Sequence, residues 1–268
     1  MKYSKIVLFF CIALPVSVLL RTLQLFFTVD ASTGFFKNEY MGVGSLLLVL
    51  IFAVCAATAI ICFTGHRVPD SPPEKNIFVC LSSFLMAAAV GIELFAESFS
   101  GTVMAWQLAL LMLTGVASMV YFAAFGLDGL ISLRLPAVCA VIPALYFIMR
   151  IICSFTAVSS LALISDNLLL IASYCVLLLF FLCFGKLYND IDSEYNFRKL
   201  MASGMVSVIL CFTQSVPHII INFVTSNGYQ HTSNSANFAL LAAGIFTAVF
   251  VFSYFSRARS AAHSEGEA

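Results

Sequence analysis

Charge is scarce in this chain. Asp, Glu, Lys and Arg make up 10% of its 268 residues, where a soluble domain carries about a quarter. So few charges cannot clothe a water-solvated surface, and a soluble globule is excluded. The 13 basic and 13 acidic residues cancel, and no basic block occurs, which removes nucleic acid from the candidate partners. Long polar segments are missing too. The longest stretch outside the apolar runs has 13 residues, too few for a P-loop motor, a kinase domain or a periplasmic binding domain. None of the nine cysteines forms C-x-x-C, and all fall within apolar runs, so they read as small packing residues. There is no H-E-x-x-H, no paired histidine and no G-x-S-x-G. Metalloprotease and serine-hydrolase chemistry therefore lack their motifs, and neither a metal nor a cofactor is expected. No lysine lies in the middle of an apolar run, which leaves a retinal Schiff base unsupported.

Apolar residues are abundant instead, at 62% of the chain, with a mean hydropathy of +1.03. A helix crosses ~30 Å of hydrocarbon with about 20 apolar residues. Eight runs qualify: 6–29, 41–63, 77–97, 105–126, 135–156, 168–188, 200–224 and 237–255. They are continuous and do not alternate with period two, so helices are expected and a β-barrel is not. The predicted fold class is an all-α polytopic membrane bundle of eight transmembrane helices. Lys2 and Lys5 before the run Ile6 to Leu20 resemble the start of a signal peptide. Arg21-Thr22-Leu23 follows where a small-residue cleavage site would be needed, so this run is kept as the first helix.

Lys and Arg distribute unevenly. With the N-terminus inside, ten fall on the cytoplasmic side, and Lys37 alone falls outside. The positive-inside rule then places both termini in the cytoplasm, in the cell membrane. Residues 257–268 read as a short disordered tail. Asp190, Asp192 and Glu194 read as a solvated connector, and Ser165-Asp166-Asn167 as an N-cap for the sixth helix.

An internal offset suggests duplication. Arg21 and Arg150 are 129 residues apart, as are Glu93 and Asn222, while Gln107 and Asn237 are 130 apart. Two parallel four-helix units, 1–128 and 129–256, would account for it.

Polar groups in apolar runs face a bundle interior or a wet cavity. The first helix carries Ser17, Arg21, Gln24 and Thr28 on one face, the third Ser82, Glu93 and Glu97. The fifth carries Tyr146, Arg150 and Ser154, and the seventh Ser207, Gln214, His218 and Asn222. The odd helices are therefore expected to line the interior and much of the even set to face lipid. At 1.5 Å per residue, Arg21, Glu93, Arg150, Gln214 and His218 all lie roughly 20–27 Å from the cytoplasmic end of their helices, in the outer half of the bilayer. The candidate site, either a substrate pocket or a buried polar network, is Arg21, Gln24, Glu93, Glu97, Arg150, Gln214 and His218. Arg21 is expected to pair with Glu93, and Arg150 with Glu97, Gln214 or His218. Pro15, Pro143 and Pro217 are expected to kink helices near these groups. Two small-residue ridges, Ser83-Ala87-Gly91 and Ala53-Ala57, permit close helix packing.

Three functions fit. The first is a small permease-like protein, not an enzyme, with an outward-facing polar pocket for an anionic or zwitterionic small solute. The second is a non-catalytic membrane subunit, sensor or assembly factor with a structural polar layer and a membrane-protein partner. The third is a lipid-modifying intramembrane enzyme using Glu93 or His218. A wet cavity reaching both arginines favours the first. A sealed salt-bridge core with an exposed small-residue groove favours the second, as does an Arg150 that is fully neutralised and dry. Metal or a lipid headgroup near His218 favours the third.

Overall fold

A computed structural model of the chain describes residues 3–30, 36–63, 76–100, 104–131, 135–157, 165–189, 193–224 and 234–266. Among them the architecture is all-helical: α1 (Tyr3–Leu23), α2 (Met41–Phe63), α3 (Ile77–Ser100), α4 (Ala105–Ile131), α5 (Ile142–Ala157), α6 (Ser165–Tyr188), α7 (Ser193–Val224) and α8 (Asn234–Gly266). Eight spans are long and apolar enough to cross a membrane. Their limits follow the apolar runs, as expected of segments whose backbones satisfy their own hydrogen bonds in an apolar setting.

Differences arise where polar sequence continues a helix already nucleated. Here α7 begins at Ser193, ahead of the apolar run, and α8 extends to Gly266. Residues 257–266, read from sequence as a disordered tail, are thus helical. The Ala and Arg of this stretch are strong helix formers, and extending a helix avoids the penalty of nucleating one. Pro143 also departs from expectation. A 3-10 turn, Ala137–Val141, precedes α5 and the α-helix starts at Ile142. Pro143 therefore lies in a first turn, where its missing N–H breaks no bond. Pro15 and Pro217 do lie inside α1 and α7.

Helices α3, α4, α5, α6, α7 and α8 close a ring in which each packs on the next and α8 returns to α3. Aromatic side chains fill the ring: Phe122 of α4, Phe147 of α5, Phe181 and Phe184 of α6, Phe246 and Phe250 of α8. Phe122 meets Phe181 and Phe246 edge-on at 5.7 and 5.3 Å, and Phe181 stacks on both Phe147 and Phe246. Outside the ring, α1 and α2 pack on each other and on α7. The pairs are not symmetric about the 129-residue offset. A parallel repeat would match α3 on α8 with α7 on α4, and α1 on α7 with α5 on α3. Neither match is among the packed pairs.

The division into odd inner and even outer helices does not hold. In its most apolar window α8 is 67% buried, against 28% for α1. Ala239, Ala242, Ala243 and Phe246 bury α8 although it has no charged stripe. Shape decides here: small and aromatic surfaces pack closely whatever the polar pattern elsewhere. The Ser83-Ala87-Gly91 ridge lies in the α3–α4 seam, where the Ser83 hydroxyl donates to the Phe122 carbonyl at 2.6 Å and Gly91 faces Met119. Ala53 of the other ridge is exposed.

Candidate functional site

The helices alternate in direction, so the polar halves of α1, α3, α5 and α7 and the start of α6 meet at one end of the bundle. All seven residues singled out in the sequence are there. They form two clusters.

The first cluster joins α1, α2, α6 and α7. Arg21 is fully buried, and its guanidinium donates to Gln24 on its own helix and to Asp166 in the first turn of α6. Gln24 begins a π-helical turn, Gln24–Thr28, and its amide donates to the Gly44 carbonyl of α2 at 2.7 Å. That wider turn lets α1 hand its chain to an antiparallel bridge, Val29 with Phe36. Phe36 then packs beside Gly44, where a side chain would collide with its ring. On α7, His218 brings Nε2 within 3.5 Å of Asp166 Oδ1. Gln214, one turn further into the bundle, is buried, and neither its amide nitrogen nor its oxygen has a partner among the described residues.

The second cluster joins α3, α5 and α6. Arg150 pairs with Glu93 through Nη2 and with Glu97 through Nη1, the latter at 3.0 Å. Nη2 also donates to the Tyr174 hydroxyl at 3.3 Å, and the guanidinium lies 5.6 Å from the centre of that ring. The Tyr146 hydroxyl donates to the other Glu93 oxygen. Two carboxylates of α3 and one tyrosine of α6 thus meet one guanidinium of α5 whose side chain is 5% exposed, and Tyr146 holds one of those carboxylates. Charge-assisted bonds of this kind are strong and fix geometry.

Arginine pairing differs from expectation. Glu93 pairs with Arg150, and the acid on Arg21 is Asp166, which the sequence reading had as an N-cap. Glu97 is a partner of Arg150, as expected, whereas His218 belongs to the Arg21 cluster and Gln214 lies one turn from His218 on α7. The cause is the ring: α5 stands across from α3, while α1 lies outside against α7. Height along a helix, which sequence gives, does not reveal which helices are neighbours. Asp166 carried no signal distinguishing it from Asp30 or Glu39, which also border apolar runs at this end. Tyr174, one of the polar groups of α6, joins the cluster although that helix carries no charged stripe.

A cavity of about 310 Å³ lies elsewhere, toward the opposite end of the bundle. Ala59 and Phe63 of α2, Val176, Leu179 and Cys183 of α6, and Lys199, Ala202, Ser203 and Val206 of α7 line it. It is a groove over α7, left because α2 and α6 pack on α7 and not on each other. Neither arginine borders it. Among the described residues no group of three or more His, Cys, Asp and Glu has the arrangement to hold a metal ion. No protein-family model, curated protein or solved structure matches the chain.

Proposed function

We propose that this is a non-catalytic membrane protein, a subunit, sensor or assembly factor, whose Arg150 cluster is a structural strut. The observation that carries this reading is the pairing of both terminal nitrogens of the Arg150 guanidinium with carboxylates. A pocket there called for a less completely paired arginine bordering a cavity. Instead it is buried and shared by Glu93, Glu97 and Tyr174. An unpaired charge in hydrocarbon costs several kcal/mol, so this arrangement ties α3, α5 and α6 in register. The positive-inside distribution supports a cell-membrane protein with both termini in the cytoplasm.

The groove over α7 supplies the face for a partner. Ala59, Ala202 and Ser203 keep it shallow and apolar, a surface on which a transmembrane helix approaches closely. A photo-reactive residue at position 203 should crosslink to one discrete membrane protein, and one at the lipid-facing Leu46 should not. Filling the groove with Ala202→Trp should abolish that product. Equal labelling of lipid from both positions would refute the docking role.

The permease-like reading keeps one supporting observation, the buried amide of Gln214, without a partner among the described residues and one turn from the His218 that faces Asp166. Reconstituted vesicles that accumulate a small anionic or zwitterionic solute, and lose this with Gln214→Leu, would favour it over the subunit reading.

A further inference from the structure

The two clusters differ in how completely their polar atoms are used, and the difference bears on ligand binding. In the Arg150 cluster both carboxylates and Tyr174 meet one cation and Tyr146 donates to Glu93, with Arg150 Nε the guanidinium nitrogen left without a partner among the described residues. In the Arg21 cluster three buried side chains have polar atoms without a partner among the described residues: Ser17 Oγ, Asp166 Oδ2 and both ends of the Gln214 amide. Ser17 lies one turn from Arg21 on the same face of α1, and Gln214 one turn from His218 on the same face of α7. Helices α1 and α7 pack together, which brings these groups to one level just inside the ion pair. Folded proteins rarely strand so many buried polar atoms in one place.

We propose that the Arg21–Asp166 pair, with Gln214 and Ser17, is a binding site for a small zwitterion carrying one ammonium and one carboxylate. Donor and acceptor types set this choice. Asp166 Oδ2, Gln214 Oε1 and Ser17 Oγ accept hydrogen bonds, as an ammonium requires. The guanidinium, the Gln214 NH₂ and the Ser17 hydroxyl donate, as a carboxylate requires. Charge narrows it further. The pair is neutral as a unit, so a simple anion or cation would leave a net charge in a site shielded from water, which is heavily penalised. A zwitterion exchanges one internal ion pair for two ion pairs with the ligand and keeps the site neutral.

Architecture permits the exchange. Although joined by the salt bridge, α1 and α6 are not a packed helix pair, so separating Arg21 from Asp166 breaks no apolar seam. Two of the helices that meet at the pair, α1 and α7, have joints. The π-helical turn starts three residues after Arg21, and Pro217 directly precedes His218; π turns and prolines are where helices bend. Asp166 lies in the first turn of α6, at the end of the bundle, and is buried, so a ligand reaches it only as the pair opens. This inference goes beyond the subunit reading, which needs no ligand and is tested separately by crosslinking.

The test uses the full chain in lipid nanodiscs, with thermal unfolding as readout. The probes, at millimolar concentration, are free glycine, alanine and proline as zwitterions, acetate as the anion and methylammonium as the cation. At least one zwitterion should raise the midpoint saturably, while acetate and methylammonium do not. Gln214→Leu should remain folded, since it removes an unpartnered buried amide, and should lose the ligand-induced rise. The apolar double variant Arg21→Met with Asp166→Leu should lose it as well. An equal rise with acetate or methylammonium alone would overturn the zwitterion assignment. A rise that persists in Gln214→Leu would overturn the location, and no rise with any probe would overturn the site.

Discussion

Asp166 is approached from two sides through one oxygen: by the Arg21 guanidinium of α1 and, at 3.5 Å, by His218 Nε2 of α7. A single carboxylate at the start of α6 thereby links the outlying α1 to the six-helix ring. The linkage makes Asp166 more than a helix cap, and it predicts strong non-additivity.

Asp166→Ala leaves Arg21 buried with its acid gone, a loss of about 3–5 kcal/mol for a pair of this kind. Replacing both, as Arg21→Met with Asp166→Leu, removes the charges together and should destabilise less than Asp166→Ala alone. Thermal unfolding in detergent across the four proteins of a double-mutant cycle measures the coupling. Simple additivity would mean that the two residues do not act as a pair.

In the second cluster the two glutamates should differ. Glu93 accepts from both Arg150 and Tyr146 and is 2% exposed in its side chain, while the Glu97 side chain is 13% exposed. Glu93→Ala should therefore lower the unfolding midpoint more than Glu97→Ala. Tyr146→Phe should cost about 1–3 kcal/mol, the usual penalty for a buried acceptor that loses its donor. Arg150→Lys should not restore stability, because a compact ammonium cannot serve two carboxylates and a tyrosine in a planar fork. Equal midpoints for the two glutamate variants would contradict this geometry.

Glycines in the ring seams should resist enlargement selectively. A Cβ at Gly204 of α7 would come within 2.7 Å of Val251 of α8, whereas at Gly42 of α2 it would meet nothing within 4 Å. Gly204→Val should destabilise by about 1–3 kcal/mol, the range for overpacking a core. Gly42→Val should be close to neutral. Denaturant or thermal midpoints of the two variants decide it, and parity between them would mean that the α7–α8 seam is looser than described.

Orientation is open to direct labelling. A Thr102→Cys variant should react with an impermeant maleimide added outside intact cells, and Arg67→Cys only after permeabilisation. A reporter fused after Ala268 should be cytoplasmic. The reverse pattern would invert the bundle and put the Arg21 cluster on the cytoplasmic side.

The sequence by itself determined the helices, because hydrocarbon leaves the backbone no other way to satisfy its polar groups over runs of about 20 apolar residues. It also determined that Arg21, Glu93, Glu97, Arg150, Gln214 and His218 lie at one end, since height follows from counting residues along a helix. Packing order was another matter. Whether α5 stands across from α3, whether α8 is inside, and whether α1 joins the ring depend on how Phe122, Phe181, Phe246, Ala243 and Gly204 fit against one another. That fit is a property of surfaces brought together from distant parts of the chain. Only the tertiary structure, therefore, divided the polar layer in two, gave Arg150 to Glu93 and Glu97, and turned Asp166 from a helix cap into the partner of Arg21. Lipid is as apolar as leucine, so hydrophobicity suits every one of these segments to a membrane alike and does not tell one neighbour from another, which leaves that choice to shape and hydrogen bonding.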